Sequence, residues 1–360
     1  MSLILGIDTS NYTTSVALVD DRGHLVVQER KLLQVGEGER GLQQSAAVFQ
    51  HLTRLPELLA KLWPQVSGGE QGGKLRELIK LIMVSTRPRP QHGSYMPVFR
   101  VGEGYAKTLA NALEIPLLET THQEGHLMAG LWSAGGPQGQ EFLAVHLSGG
   151  TTELLKVRHL YKVQHLPKAQ QLSKAQQLSK AASMEKTTTT TFSQDFFEIE
   201  LLGGTKDLHA GQFVDRVGVA LGLEFPAGPR LEQLAQQAEA SKLSIPSSVQ
   251  GMSISFSGPE SQAQRFITEG KPPAEIARAV EKCIALSLGK LLLQALQNYG
   301  LREMLIVGGV AANQYIRTRL SQKLEHPAVK AKLYFAEPVY SSDNAVGVAL
   351  LGREYVVRAR

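Results

Sequence analysis

Residues 3–19 read LILGIDTSNYTTSVALV. Apolar Leu3–Ile7 predicts a strand, the polar stretch Asp8–Thr13 a turn, and Thr14–Val19 a returning strand, with His24–Glu29 as a third. Such an antiparallel meander opens a mixed sheet. The same order recurs in mid-chain, where Phe142–Leu147 is a strand, Ser148–Thr151 a glycine turn and Thr152–Val157 a return. Strand, turn and strand occurring twice read as the duplication of one lobe by another. Two lobes also suit 360 residues, a length long for a single core.

Other segments fill in an α/β pattern. Val48, Leu52, Leu55, Leu58 and Leu59 have helical spacing within Ala46–Leu62, and Glu103–Leu113 predicts a second helix. Gly68–Gly73 is a glycine-rich loop and Ile79–Val84 a buried strand. The last third predicts a helix over Ala274–Asn298, strands at Met304–Val307 and Lys332–Phe335, a helix opening near Asn313 and a final helix beside Asp343. Residues 158–197 break the pattern: KAQQLS occurs at 168–173 and again at 174–179, and five threonines run from Thr187. With few large apolar groups to offset its ordering entropy, this stretch reads as a solvated insertion between two strands. The expected division is a first lobe of 1–118 plus 345–360 and a second of 119–344.

Composition narrows the class. Apolar residues are 42% and charged residues 20%, enough to bury a sizeable core. A single cysteine, Cys283, excludes an internal disulfide framework and a cysteine-based zinc ribbon, and its apolar helical neighbours suggest an inert buried thiol. No apolar run is long enough to span a bilayer. The N-terminus has no basic segment, and Asp8 interrupts its apolar run, so no secretion signal is expected and a cytoplasmic location follows. A net charge of +5 is compatible with an anionic ligand or nucleic acid.

Three turns follow strands. In the first, around Asp8 and Ser10, backbone N–H groups and hydroxyls can cradle a phosphate and Asp8 can hold a magnesium-bound water, although an ordinary hairpin fits equally well. In the second, Ser148-Gly149-Gly150-Thr151, paired glycines let backbone approach a ligand. In the third, Gly308-Gly309 lead into a helix start with Asn313 available to a base, ribose or phosphate. Neither G-x-G-x-x-G nor G-x-x-x-x-G-K-[ST] is present. Three such turns in two half-chains suggest a two-lobed nucleotide cleft of the actin, sugar-kinase and heat-shock ATPase kind.

His122-Gln123-Glu124-Gly125-His126 places two imidazoles at i and i+4, on one helix face, where they can bind one ion; two surface histidines satisfy the same spacing. It is not H-E-x-x-H, because Gln123 follows the first histidine, so a zincin protease is disfavoured. Gly125 weakens a helix and suggests close packing by another element. A hard third ligand is needed. Asp343 is a candidate, and it is equally a candidate N-cap of the last helix.

Together, strand-D-T-S, H-x-x-x-H, S-G-G-x-T, V-D-R around Asp215, P-A-G-P around Gly228, S-F-S-G, G-G-V-A-A-N and S-D-N occur in an order that resembles the TsaD family, once called glycoproteases. The likeness spans nearly the whole chain outside the insertion. It implies an actin-like ATPase fold and transfer of threonylcarbamoyl from its adenylate to N6 of the adenosine beside the tRNA anticodon. By the same resemblance, His122, His126 and Asp343 would ligate one iron or zinc ion per chain, with magnesium a further candidate. Leu147, Ser148, Gly149, Gly150 and Thr151 would line the phosphate-side turn. Asp215 would accept from ribose hydroxyls, and Gly228, Gly308, Gly309 and Asn313 would complete a pocket for ATP or threonylcarbamoyl adenylate. Asp8 and Ser10 are the catalytic-side candidates; Arg87 and Arg89 are candidates for tRNA phosphates. Implied partners are tRNA and tRNA-modification proteins, with no membrane.

The chain departs from the family pattern E-T-S-C-D-E-T, because Asn11, Tyr12 and Thr13 replace the cysteine and two acids. Thr151 stands where S-G-G-H-T has histidine, and Arg87-Pro88-Arg89-Pro90 where the family has a G-P-G loop. These changes motivate two alternatives: a non-catalytic nucleotide- and metal-binding paralogue in a modification complex, or another actin-like carbamoyltransferase or phosphotransferase.

Overall fold

A computed structural model describes residues 2–10, 12–36, 41–67, 75–160, 191–193, 196–238 and 242–359. The glycine loop expected at 68–73 and most of the expected insertion lie outside the described residues.

The first sheet comprises β1 (Leu3–Ser10), β2 (Thr13–Asp20), β3 (Leu25–Leu32), β4 (Ile79–Arg87), β5 (Leu117–Thr121) and β8 (Thr191–Ser193), in the order β3-β2-β1-β4-β5-β8. β1 to β3 form an antiparallel meander, and β4 and β5 continue parallel to β1. β1 is buried along its whole length, which suits a strand covered on both faces. Leu3, Leu5 and Ile7 join a cluster with Leu55 and Leu58 of helix Gln44–Leu62 and Ala106 of helix Phe99–Leu113. Ile4, on the opposite face, joins Val346 and Ala349 of helix Val346–Ala359.

The second sheet repeats the plan. It holds β6 (Glu141–Leu147), β7 (Thr152–His159), β9 (Phe197–Thr205), β10 (Ser248–Gln250), β11 (Ser253–Ser255), β12 (Glu303–Val307) and β13 (Lys332–Phe335), in the order β10-β11-β9-β7-β6-β12-β13. β6, β7 and β9 are the antiparallel meander, and β12 and β13 run parallel to β6. Both sheets therefore share one core sequence of strands, as the repeated hairpin pattern suggested. Alternation along β6 sends Leu143, Val145 and Leu147 into the second lobe's core and Phe142 and Ala144 into the cluster shared with the first lobe.

Helix His122–Ala134 lies between the lobes, touching β12 as well as β4 and β5. It approaches its neighbours closely through glycines. A Cβ at Gly130 would lie 2.5 Å from Val307 Cγ1, and one at Gly125 would lie 3.0 Å from Val348 Cγ2. Opposite, a Cβ at Gly347 would run into the Gly125 carbonyl oxygen. Gly125 thus has the packing role its place in a helix suggested. Cys283 is buried within helix Pro273–Tyr299, and burial pushes its thiol up to about 11, in keeping with an inert side chain.

Two expectations are corrected. The polar turn expected over Asp8–Thr13 is shorter than that: β1 continues through Ser10, β2 starts at Thr13, and Asp8, Thr9, Ser10, Thr14 and Ser15 are all buried. Internal partners make this tolerable. Thr9 Oγ1 donates to the Val98 carbonyl at 2.9 Å, Thr14 Oγ1 meets His51 Nδ1 at 2.8 Å, and Ser15 Oγ donates to the Asp8 carbonyl at 3.3 Å. The insertion is also narrower than 158–197. β7 runs to His159, Thr191–Ser193 pair with Leu117–Glu119, and Phe196 and Phe197 are buried, their rings supplying the apolar area that the repeats lack. Short helices Ala210–Ala220, Gly228–Gln236 and Ser257–Thr268 lacked a sequence expectation. Among the described residues no helix is long and apolar enough to cross a membrane.

Candidate metal and nucleotide site

Helix His122–Ala134 starts where it does because Thr121 and Glu124 form a capping box: Thr121 Oγ1 accepts from the Glu124 N–H, and the Glu124 carboxylate accepts from the Thr121 N–H, each at 3.2 Å. Glu124 also accepts from the Phe196 N–H at 2.9 Å, so it is committed to structure. The cap puts His122 and His126 one turn apart on one face, with ring centroids 4.4 Å apart.

Asp343 reaches them from the loop before the last helix. Its Oδ1 is 3.2 Å from His126 Nε2 and 3.5 Å from His122 Nε2. Asn344, rather than Asp343, caps the last helix, accepting from the Val346 N–H at 3.0 Å. Asp343 is thereby left to the histidines. Donor atoms of His122, His126 and Asp343 all lie within 4.8 Å of one another. Donors bonded at about 2.0–2.2 Å to one tetrahedral centre are separated by roughly 3.3 Å, so the spacing fits a first-row ion with little adjustment. The buried Nδ1 of His126 has no hydrogen-bond partner, an orphaned polar atom on one of the three candidate ligands.

Asp8 stands behind His122. Its Oδ1 is 3.2 Å from His122 Nδ1, and Ser10 and Ser85 hydroxyls donate to its two oxygens. It is fully buried and in contact with His122, and Ser10 Oγ donates to it. Burial pulls His122 down, but Asp8 and Asp343 overcome this and hold it up at about 10. Burial would raise Asp343, and the hydrogen bonds and charges of His122 and His126 instead hold it far below the usual carboxylate range. Asp8 is likewise lowered against its own burial. His126 is pushed down by burial and by His122, and His146 well down by burial and by the same two imidazoles.

A cavity of about 520 Å³ opens beside Asp343. Ser148, Gly149, Asp215, Gly228, Gly309 and Asn313 line it from the second lobe, and Tyr12, Thr13 and Arg30 from the first. Tyr12 meets Phe225 edge-on across the cleft at 5.6 Å. Asp215 accepts from the Ala227 N–H at 2.8 Å, and burial raises it to about 6. Asn313 is less available than expected: its side chain caps helix Gln314–Leu324 by accepting from the Ile316 N–H at 2.9 Å, and donates to Glu281 at 2.6 Å.

Four expected lining residues fall outside the cavity wall. Leu147 is a buried strand end. Gly308, at φ +99°, is a packing glycine whose Cβ would run into the Leu147 carbonyl oxygen. Gly150 and Thr151 close the turn on itself, the Gly150 N–H donating to Ser148 Oγ at 3.3 Å and the Thr151 carbonyl accepting from the Ser148 N–H at 2.8 Å. Arg89 is ion-paired with Glu153 at 2.6 Å.

Sequence reading missed Glu281, His146 and Ser85. Glu281 lines the cavity, and burial, opposed by Asn313 and Arg278, raises it to about 7. An acid on the face of the helix that also carries the buried Ala277, Ile284, Ala285 and Leu288 was its visible signal.

A family profile described as TsaD, tRNA N6-adenosine threonylcarbamoyltransferase, matches residues 45–189 and 186–350. The tRNA N6-adenosine threonylcarbamoyltransferase of Thermus thermophilus is 31% identical over 349 residues, covering 96% of this chain and 91% of the relative. The chain belongs to the TsaD family. Solved structures agree on the fold. HypF from T. kodakarensis aligns over 99% of this chain and 48% of its own, with a TM-score of 0.56 at 16% identity. The Acidaminococcus fermentans (R)-2-hydroxyglutaryl-CoA dehydratase component A aligns over 99% and 100%, with 0.54 at 11%. The architecture is the two-lobed actin-like ATPase fold. At 31% identity to that relative, the chain lines its cavity with Tyr12 and Thr13, the positions at which the sequence reading expected two acids.

Proposed function

We propose that this chain is a TsaD-type acyltransferase that moves threonylcarbamoyl from its adenylate to N6 of the tRNA adenosine beside the anticodon. The lobes would divide at 118/119 and 344/345. The observation that carries the reading is the convergence of His122, His126 and Asp343 at the mouth of a cavity, in a chain 31% identical to a threonylcarbamoyltransferase along nearly its full length.

In this reading His122, His126 and Asp343 hold the ion, which supplies Lewis-acid stabilisation of charge on the leaving group's oxygens. Asp8, fixed by Ser10 and Ser85, keeps His122 aimed. Ser148 and Gly149 offer the backbone of their turn to the phosphate, and Asp215 and Glu281 face the nucleoside as hydroxyl or amine partners. The adenosine amine attacks the carbamoyl carbon, the bond from that carbon to the phosphate oxygen breaks, AMP leaves with the electron pair, and the amine proton passes to solvent.

The test combines purified protein, its modification partners, tRNA and threonylcarbamoyl adenylate, with the product nucleoside read by mass spectrometry. Product from the parent and its loss in His126→Ala supports the reading. Tyr12, packed against Phe225 at 5.6 Å, favours a second reading, a paralogue that binds nucleotide and ion without transferring the acyl group. Tight nucleotide and metal binding with no product would select that reading.

A further inference from the structure

The two candidate metal-binding histidines differ in their support. His122 has Asp8 at 3.2 Å from its Nδ1, with Ser10 and Ser85 holding Asp8. His126 Nδ1 is buried and has no partner. An imidazole that gives Nε2 to a cation keeps its proton on Nδ1, and a buried proton of this kind needs an acceptor.

One neighbour offers an acceptor. His146 lies on β6, next to the strand's end, and is 4% exposed. Its ring centroid is 4.6 Å from that of His126, with the planes inclined at 49°. Its Nε2 is also buried without a partner. Strand alternation explains the placement: Phe142, Ala144 and His146 share the face turned toward the other lobe, and only the third of these carries a polar group. Among the described residues, the donor group within mutual reach consists of His122, His126 and Asp343, and His146 lies outside it.

Resting on the metal reading above, we infer that His146 is the positioning residue for His126, its Nε2 accepting the His126 Nδ1 proton, through a small ring rotation or one buried water, when His126 Nε2 binds the ion. Two buried nitrogens that lack partners satisfy each other in this arrangement. His126 then acquires an imidazole acceptor where His122 has a carboxylate, so the two ligands are held by groups of different charge.

The test measures Zn²⁺ and Co²⁺ affinity of the full chain by chelator competition, for the parent, His146→Leu and His146→Gln. His146→Leu removes the acceptor while keeping an apolar filling; His146→Gln restores an acceptor oxygen. The expected result is an affinity about 10- to 100-fold weaker in His146→Leu, in the range usual for outer partners of metal ligands, and recovery in His146→Gln to within about threefold of the parent. The Co²⁺ absorption bands should shift in His146→Leu and return in His146→Gln. Unchanged affinity and bands in His146→Leu overturn the assignment, as does a His146→Gln variant as impaired as His146→Leu. A parent that binds neither ion overturns the metal reading itself, which separates the two failures.

Discussion

The two lobes share a strand order and use its first turn in opposite ways. At the end of β1 the polar side chains turn inward: Asp8 and Ser10 are buried, Ser10 donates to Asp8, and Asp8 meets His122. Between β6 and β7 the equivalent turn carries glycines, keeps Gly149 open, and lines the cavity with Ser148. One topology thus gives, on the proposed function, support for an ion from one copy and space for a ligand from the other. The difference lies in side-chain size. A carboxylate with hydroxyl partners fills the space at the end of β1, whereas the glycines of the second lobe leave their turn empty enough for backbone to meet a ligand.

The comparison holds only while the lobes stay joined, and Gly347→Ala attacks that joint. The new Cβ meets the rigid Gly125 carbonyl, so a loss of at least about 3 kcal/mol, or failure to fold, is expected in urea unfolding. A tolerated alanine would show that the helix crossing is looser than described.

Glu281 tests the second lobe alone. Its folded value of about 7 exceeds the ordinary 4.5, so the folded state holds the proton more tightly. Its contribution is complete below pH about 4.5, fades as pH rises, and is gone above about 7, a change on the order of 3 kcal/mol. Chemical denaturation across this range should show the decline in the parent and a flatter profile in Glu281→Gln. An unchanged slope would place the proton elsewhere.

Asp8→Asn should weaken metal affinity about 10- to 100-fold and leave nucleotide affinity near the parent's. Gly211→Ala should do the reverse. Its Cβ would lie 2.7 Å from Gly149 and from the Ser148 carbonyl oxygen, displacing the open turn, and nucleotide affinity should fall by about tenfold, or about 1.4 kcal/mol, with metal binding retained. Parallel calorimetry of both variants decides the matter: if each weakens both ligands equally, the division of labour between the turns is wrong.

Much of this was legible in the chain itself. Apolar runs and the repeated hairpin marked β1 to β4, β6, β7, β12 and β13, though not β5 or β8 to β11, and the i, i+4 histidines marked the helix face that carries them. Local patterns record neighbours in sequence, and the unread parts depend on distant ones. Asp8 looked like a turn residue because nothing nearby shows that Ser85 and His122 close over it. Asn313 looked free because its bond to Glu281 spans 32 residues. His146, alone in an apolar strand, reads as core until His126 is set beside it. The short helices after Ala210 contain glycine and proline, which mask helical periodicity.

The helix bearing both imidazoles touches the two sheets, and the carboxylate precedes the segment that returns the chain to the first lobe. The three donors therefore sit where the two sheets are joined. Parting the lobes to let a spent nucleotide escape would leave that joint almost still. On the proposed function, exchange of nucleotide and retention of the ion would then be mechanically separate.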